Sequence, residues 1–519
     1  MSITLGSVLI SDPVDVCCGE LLARNGIPVT IKYKLSKEEL IKELQNHEGL
    51  IVRSETKVNN DVFARCPKLR VVGRAGTGVD NIDLQAATKK GVIVLNAPGA
   101  NSISACELTC TLICNLARNV PQAVQSLKEG RWDRKLYAGF ELSGKTLAVV
   151  GMGRIGREVA RRMQAFAMRV IAFDPLLTQQ VADEIGVEKL SLDEIWPTAD
   201  YITVHTPLIP QTRNLINATT LAKCKKGVYI INVARGGIVD EEALLNALKS
   251  GDCAGAALDV FVEEPPKNPV TLQLIAHPKV IATPHLGAST EEAQQRVAEE
   301  IAQQFLALSG KSTKYAITGI VNAPMLHAAI ASAENASWIE LSKKLGQLIG
   351  RFLKGKLNVT VHSEIVGGAS MREKSFVHTA VLLGILSGQT KNGLNLINAP
   401  VLAQETGIEV KESHEESADV EAIVVQAKDH SIKGSNISGT VRDNEPLLLS
   451  LDDARFANGI ALRNHVSFYR TNKVQHLAQI VTAFSTKGIN VCNLSVNGSW
   501  TMIQTDEEVS VRVNGIESF

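Results

Sequence analysis

The sequence has no net charge: its 519 residues include 54 basic and 54 acidic side chains. Without a basic excess there is no general electrostatic footprint for nucleic acid, and no nucleic-acid partner is expected. Nor is there an apolar run near the roughly 20 residues that cross a bilayer, so no membrane partner is expected. The opening Met1–Ile10 has no basic n-region and reads as a β-strand, not a leader peptide. The closing Gly515–Phe519 matches no sorting signal, which leaves the cytoplasm as the default compartment. Cysteine is sparse: nine residues, an odd number, with no C-x-x-C pair. That excludes a disulfide framework and fits a reduced compartment. Cys106, Cys110 and Cys114 recur every four residues on one helical stretch. No His or fourth Cys joins them at ligand spacing, so they read as small core residues and no metal is expected.

What remains is ordinary globular material, 45% hydrophobic and 21% charged. The length suggests about three or four domains. Short β-branched runs alternate with helical patterns from the start: Val8–Ile10, Val29–Ile31, Leu50–Val52, Arg70–Val72 and Val92–Leu95. Ser36 and Glu39 have capping-box spacing ahead of a helix over 36–46. A long helix is expected over 102–118. A second series follows, with strands at Thr146–Val150, Val170–Phe173, Tyr201–Val204, Tyr229–Val233 and Val280–Ala282, then a helix over 289–308. Such alternation predicts α/β architecture with parallel sheets covered on both faces. Beyond 312 the texture changes. Helices are expected near 336–354 and 374–386, with strands at Val359–Val361 and Ala422–Val425. The last piece reads strand–helix–strand–strand, from His465–Tyr469 to Ser499–Thr505.

The strongest local signal is Gly151-Met-Gly153-Arg154-Ile155-Gly156. It follows an apolar strand and opens a helix, the context that gives a G-x-G-x-x-G weight. Gly151 permits the tight turn, Gly153 lets backbone approach a pyrophosphate, and Gly156 lets helix and strand pack closely. Asp174 ends the next strand, 18 residues beyond Gly156. An acidic group there accepts bonds from ribose hydroxyls and repels a 2′-phosphate, which favours NAD over NADP.

Three further motifs stand at strand ends: Asn232-Val-Ala-Arg235-Gly-Gly, Asp259-Val-Phe-Val-Glu263-Glu264-Pro265 and Thr283-Pro-His285-Leu-Gly287-Ala288. Ligands collect at strand C-termini in open α/β sheets. With the glycine fingerprint, these motifs in this order resemble the D-2-hydroxyacid dehydrogenases. Leu50-Ile-Val-Arg53, Gly73-Arg74-Ala-Gly-Thr77-Gly-Val-Asp-Asn81 and Asn96-Ala-Pro-Gly extend the likeness to the branch that oxidises 3-phospho-D-glycerate. The likeness is close over about 4–310 and looser beyond.

That resemblance implies two doubly wound parallel-sheet domains, one for substrate and one a Rossmann domain for NAD. It adds an α+β intervening domain and an ACT-like C-terminal domain. The expected boundaries are 1–98 with 287–312, then 99–286, 313–455 and 456–519. It implies Arg235, Glu264 and His285 as the catalytic three. His285 can take the alcohol proton near neutral pH, its reference pKa being about 6.5. Glu264, placed directly before proline and chosen over Glu263, would orient the ring and stabilise its charged form. Arg235 would fork onto the substrate carboxylate. Cofactor contacts are implied for Thr77, the fingerprint, Asp174, Thr206, Val233, Ala234, Arg235, Asp259, His285, Gly287 and Ala288. Arg53 and Arg74 would meet the substrate phosphate and carboxylate, and Arg134 would serve a partner subunit's pocket. Self-association to a homodimer or homotetramer is implied, with the two long helices supplying apolar surface or joining domains.

Two other readings share the motifs. One is a reductase of glyoxylate or hydroxypyruvate; the other is an NAD-sensing corepressor on the same fold. The first usually ends near 312, and the folded texture after 312 counts against an interaction tail. The stretch Arg470–His476 lacks the Asn/Asp-x-Pro-Gly turn of amino-acid-binding ACT domains. Packing and assembly are expected of it rather than effector binding.

Overall fold

The computed structural model describes residues 3–518 apart from 4, 333, 354–357, 389–392, 429–435, 464, 472–473, 510 and 514–515. The chain divides into two compact units, Met1–Asn96 with Ile301–Phe519, and Ala97–Glu300.

The first unit opens with β1 (Val8–Ile10), β2 (Val29–Ile31), β3 (Gly49–Val52), β4 (Val71–Arg74) and β5 (Ile93–Asn96). They form an all-parallel sheet in the order β2-β1-β3-β4-β5. Its central strands are continuous apolar runs because both faces are covered. Helix Lys37–Leu44 begins at the expected capping box, with Glu39 accepting from the Ser36 N–H at 2.8 Å. Fully buried Phe305 lies against the middle of the sheet, where β3 and β4 carry glycine. A Cβ on Gly73 would stand 2.5 Å from the Phe305 ring, and one on Gly49 would stand 3.0 Å from it. A returning segment lies along the free side of β5. Ile320 bridges Leu95 in antiparallel sense, the Asn96 N–H donates to Gly319 O at 2.9 Å, and the Val94 N–H donates to Asn322 Oδ1 at 2.9 Å.

The second unit holds β6 (Thr146–Val150), β7 (Arg169–Phe173), β8 (Glu188–Lys189), β9 (Tyr201–Val204), β10 (Val228–Asn232), β11 (Cys253–Leu258) and β12 (Val280–Ala282). Their order, β12-β11-β10-β9-β6-β7-β8, is parallel throughout. Strand order reverses at β6 and β9, and ligands bind beyond strand C-termini at such a switch point. Sequence pattern gives no signal for β11, whose Cys-Ala-Gly-Ala-Ala-Leu has small side chains of low β propensity. Pairing on both sides and burial hold it as a strand. Cys106 sits fully buried in the core of this unit, and Cys110 and Cys114 pack against that core.

The remainder of the first unit carries two more sheets. β13 (Thr360–Val366), β14 (Glu409–Glu415), β15 (Ala422–Ala427), β16 (Asn436–Arg442), β17 (Glu445–Leu451) and β18 (Ala454–Ala461) form a six-stranded mixed sheet. Helices Asn335–Leu353 and Phe376–Leu386 meet at glycines: a Cβ on Gly346 would stand 2.1 Å from Val381 O. β19 (His465–Arg470), β20 (Val491–Asn497), β21 (Trp500–Thr505) and β22 (Glu517–Ser518) make an antiparallel four-stranded sheet with helix Val474–Thr486. The boundary expected between 455 and 456 falls inside β18, which pairs with β17, so the six-stranded sheet continues to Ala461. β14 is a parallel edge strand of charged residues, without the alternation that would signal it. In the stretch Arg470–His476, residues 472 and 473 lie outside those described.

Candidate active site

The glycine turn follows β6 as the sequence implies. Gly151 has φ +101°, and a Cβ there would stand 2.6 Å from His205 O. A Cβ on Gly156 would stand 2.0 Å from Gly151 O, so helix Arg154–Gln164 can leave the strand this closely only with glycine. Gly153 differs: a Cβ would meet nothing within 4 Å. Protein packing therefore does not require glycine at 153, and that space suits a bound phosphate group. Asp174 follows β7; Oδ2 accepts from the Met152 N–H and Oδ1 from the Leu176 N–H, both at 2.8 Å. Each oxygen keeps a lone pair for a ribose hydroxyl. Beyond β9, the Thr206 hydroxyl is buried without a hydrogen-bond partner. An orphaned donor costs free energy unless a ligand satisfies it. The open space at 153, the carboxylate at 174 and this hydroxyl fit a dinucleotide. Arg154 is exposed on the first helical turn and Ile155 is half-buried against the core.

The catalytic candidates converge at the ends of β10, β11 and β12. His285 Nδ1 and Glu264 Oε2 are 2.7 Å apart, and Glu264 Oε1 accepts from the Phe261 N–H at 3.0 Å. Glu263 makes no such contact with His285, so Glu264 is the acidic partner. Both partners remain accessible, with side chains 48% and 36% exposed. His285 has φ +55°, held by its N–H donating to Asp259 O at 2.9 Å. Arg235 follows β10. Buried Asn232 brackets it, its Nδ2 donating to Arg235 O at 2.8 Å and its Oδ1 accepting from the Ala234 N–H at 3.0 Å. Gly236 brings this loop onto the Glu264 loop, since a Cβ there would stand 1.8 Å from Phe261 O. Burial pushes the Glu264 carboxyl up. The His285 hydrogen bond, the Phe261 N–H and the charges of His285 and Arg235 outweigh burial and hold it below the usual carboxylate range.

A depressed carboxyl is ionised above the ordinary carboxylate range, and its stabilising effect is lost only as pH falls through its own lowered value. At neutral pH Glu264 is therefore an anion facing His285 Nδ1. Glu264→Gln is expected to lower kcat for alcohol oxidation at least about tenfold at neutral pH, because the ring loses the anion that orients it. An unchanged kcat would show that the carboxylate does not orient the base.

Asp259, expected at the cofactor, is fully buried, with no surface open to a ligand. Oδ1 accepts from Thr283 Oγ1 at 2.6 Å and from the Leu286 N–H at 2.7 Å, while Oδ2 accepts from the Gly287 N–H at 2.8 Å. These contacts tie it to the loop that carries His285. Gly287 packs near Val233, where a Cβ would stand 3.3 Å from Val233 Cγ1; Ala234 and Ala288 are half-buried beside these loops.

In the first unit, Arg74 ends β4 and Arg53 follows β3, where Val52 pairs with Arg74. Burial lowers the Arg53 guanidinium's affinity for its proton, against the charges of Asp12 and Glu55. Thr77 lies in the following loop, its carbonyl accepting from Asn96 Nδ2 at 2.6 Å. Arg134 is exposed in a turn. The long helices spend much of their apolar surface internally: Leu112, Ile113 and Leu116 are buried, as are Val297, Ile301 and Phe305. Exposed apolar side chains gather in sequence instead at Leu127, Trp132 and Leu136, which are 58%, 80% and 70% exposed. Asn81, Asn232 and Gly236 stand within quoted motifs, but their roles depend on contacts that no local spacing announces.

The family description "D-isomer specific 2-hydroxyacid dehydrogenase, NAD binding domain" matches residues 110–287, and "D-3-phosphoglycerate dehydrogenase intervening domain" matches 335–451. A D-3-phosphoglycerate dehydrogenase of Rattus norvegicus is 49% identical over 468 residues, 88% of this chain and 85% of that protein. One from Methanocaldococcus jannaschii is 39% identical, covering 94% and 92%. Among solved structures, D-lactate dehydrogenase from Aquifex aeolicus, complexed with NAD and lactic acid, is 29% identical with a TM-score of 0.53, covering 59% of this chain and 95% of that one. With this level of identity across nearly its whole length, the chain belongs to the D-3-phosphoglycerate dehydrogenase family.

Proposed function

We propose that this protein oxidises 3-phospho-D-glycerate to 3-phosphohydroxypyruvate with NAD, the entry step of L-serine synthesis. The observation that carries the reading is the 2.7 Å His285–Glu264 pair, with Arg235 charge beside it, in a chain of this family. A bound NAD would supply the acceptor for the hydride of C2. The chain's residues do the rest. With Nδ1 committed to Glu264, His285 Nε2 is the nitrogen left to take the hydroxyl proton. Glu264 stabilises the imidazolium that results. Arg235 holds the carboxylate and fixes C2. Arg53 and Arg74 answer the remaining anionic charge, a role for which guanidinium geometry suits phosphate.

The test follows NADH absorbance with 3-phosphoglycerate at alkaline pH in the presence of a product trap, with unphosphorylated D-glycerate in parallel. NADH is expected to form with the phosphorylated substrate, and Arg74→Ala is expected to erase at least about tenfold of the preference for it. Undetectable turnover beside tight partner binding would favour the corepressor reading. Preference for the unphosphorylated acid would favour the reductase.

Self-association accompanies this activity, with the exposed apolar side chains of 127–136 as its surface and Arg134 among them. A monomer in sedimentation would end that proposal. A cytoplasmic location fits nine cysteines that are all free, and cell fractionation tests it.

A further inference from the structure

The two arginines assigned to the substrate stand at the ends of different strands, yet one side chain ties them together. Asn81 Oδ1 accepts from Arg74 Nε at 3.0 Å. Its Nδ2 donates to Arg53 O and to Thr56 O, both at 2.7 Å. The amide orientation is fixed by chemistry, because carbonyls only accept and a guanidinium only donates. Three segments therefore meet on one half-buried amide.

Each contact removes a freedom that matters for anion recognition. Pinning Nε fixes the plane of the Arg74 guanidinium, which is otherwise carried on a long, rotamer-rich stem. Gly76 supports the same placement: its φ is +158°, and a Cβ there would stand 2.5 Å from Arg74 Nη1. The guanidinium thus lies across a position that only glycine leaves open. On the other side, the Nδ2 bonds clamp the loop that begins at Arg53. Buried Asp12 clamps it again, its Oδ2 accepting from the Arg53 N–H at 2.6 Å and from the Thr56 N–H at 3.1 Å. Arg74 is held at its guanidinium and Arg53 at its backbone before any anion arrives. Preorganisation of this kind spares a ligand the cost of ordering long side chains.

We propose that Asn81 is a positioning residue for substrate specificity, setting the relative placement of Arg53 and Arg74 that selects a phosphorylated 2-hydroxy acid. This inference rests on the reading in which those arginines bind the substrate. Asn81 touches no reacting atom, so its loss weakens binding and leaves the proton-transfer groups of the second unit in place.

The test compares steady-state kinetics of Asn81→Ala, Arg74→Ala and the double variant with 3-phosphoglycerate and D-glycerate, and melting temperature with each. Asn81→Ala is expected to raise KM for 3-phosphoglycerate about ten- to a hundredfold, with kcat within about threefold and KM for NAD unchanged. In the Arg74→Ala background the same substitution is expected to add less than about threefold, because Asp12 still clamps the Arg53 loop and Arg74 is the arginine whose side chain Asn81 holds. If Arg74→Ala leaves phosphate preference intact, the underlying reading fails. If Arg74→Ala abolishes it while Asn81→Ala does not change KM, or if the two effects multiply in full, this inference alone fails. Asn81→Ser, which keeps one polar atom in the space, replaces Asn81→Ala should that protein not fold. If neither folds, the residue is structural and the proposal is overturned.

Discussion

Replacing His285 with asparagine is expected to lower kcat by about two to four orders of magnitude, the span over which a positioned acid–base group acts. Asparagine tolerates left-handed backbone better than most residues, so it suits the φ of +55° at this position. Its amide cannot exchange a proton near neutral pH. The glycine turn after β6 is untouched, and NAD affinity, read by nucleotide fluorescence titration, is expected to stay within about threefold. The split between intact cofactor binding and lost turnover separates a proton acceptor from a merely structural histidine. A variant retaining kcat within tenfold would end the mechanism, since no other imidazole stands 2.7 Å from Glu264 among the described residues.

The second large effect comes from two glycines three residues apart. Gly156→Ala forces a methyl to within 2.0 Å of a backbone oxygen, and backbone cannot give way as a side-chain tip can. Overpacking of this kind costs about 1–3 kcal/mol, so melting is expected to fall by several degrees and NAD affinity by about a hundredfold or more. Gly153→Ala meets nothing within 4 Å, so melting is expected to hold steady. Its methyl enters the space assigned to the pyrophosphate, and NAD affinity is expected to drop at least about tenfold. Calorimetry of both variants, with and without NAD, reads the contrast. Unchanged affinity in Gly153→Ala would place the pyrophosphate elsewhere.

The parts of the site legible in sequence are those carried by adjacency. A G-x-G-x-x-G needs only its own turn and the strand before it, and Asp174 needs only the next strand end. Arg235, Glu264 and His285 each stand in a short motif whose neighbours set the local backbone. What stayed hidden depends on chain segments far apart. Asp259 is one residue beyond a strand end, where a cofactor contact is a fair expectation. Only the fold shows that Thr283, Leu286 and Gly287 enclose its carboxylate. Asn81 reaches an oxygen 28 residues away, a separation at which spacing carries no information. Among strands, β11 escaped because small side chains leave no periodic signal. β14 escaped because a charged edge has no apolar face to alternate.

The segment that lies along β5 sets where this chain can be shortened. Cutting after 312, at the end of the dehydrogenase-like half, would remove Gly319, Ile320 and Asn322 together. The amides and carbonyls of β5 would then present an open ladder to solvent, ready to template another molecule's backbone. A minimal enzyme ending at 323 keeps that seam closed, and light scattering should find it the less aggregation-prone of the two truncations.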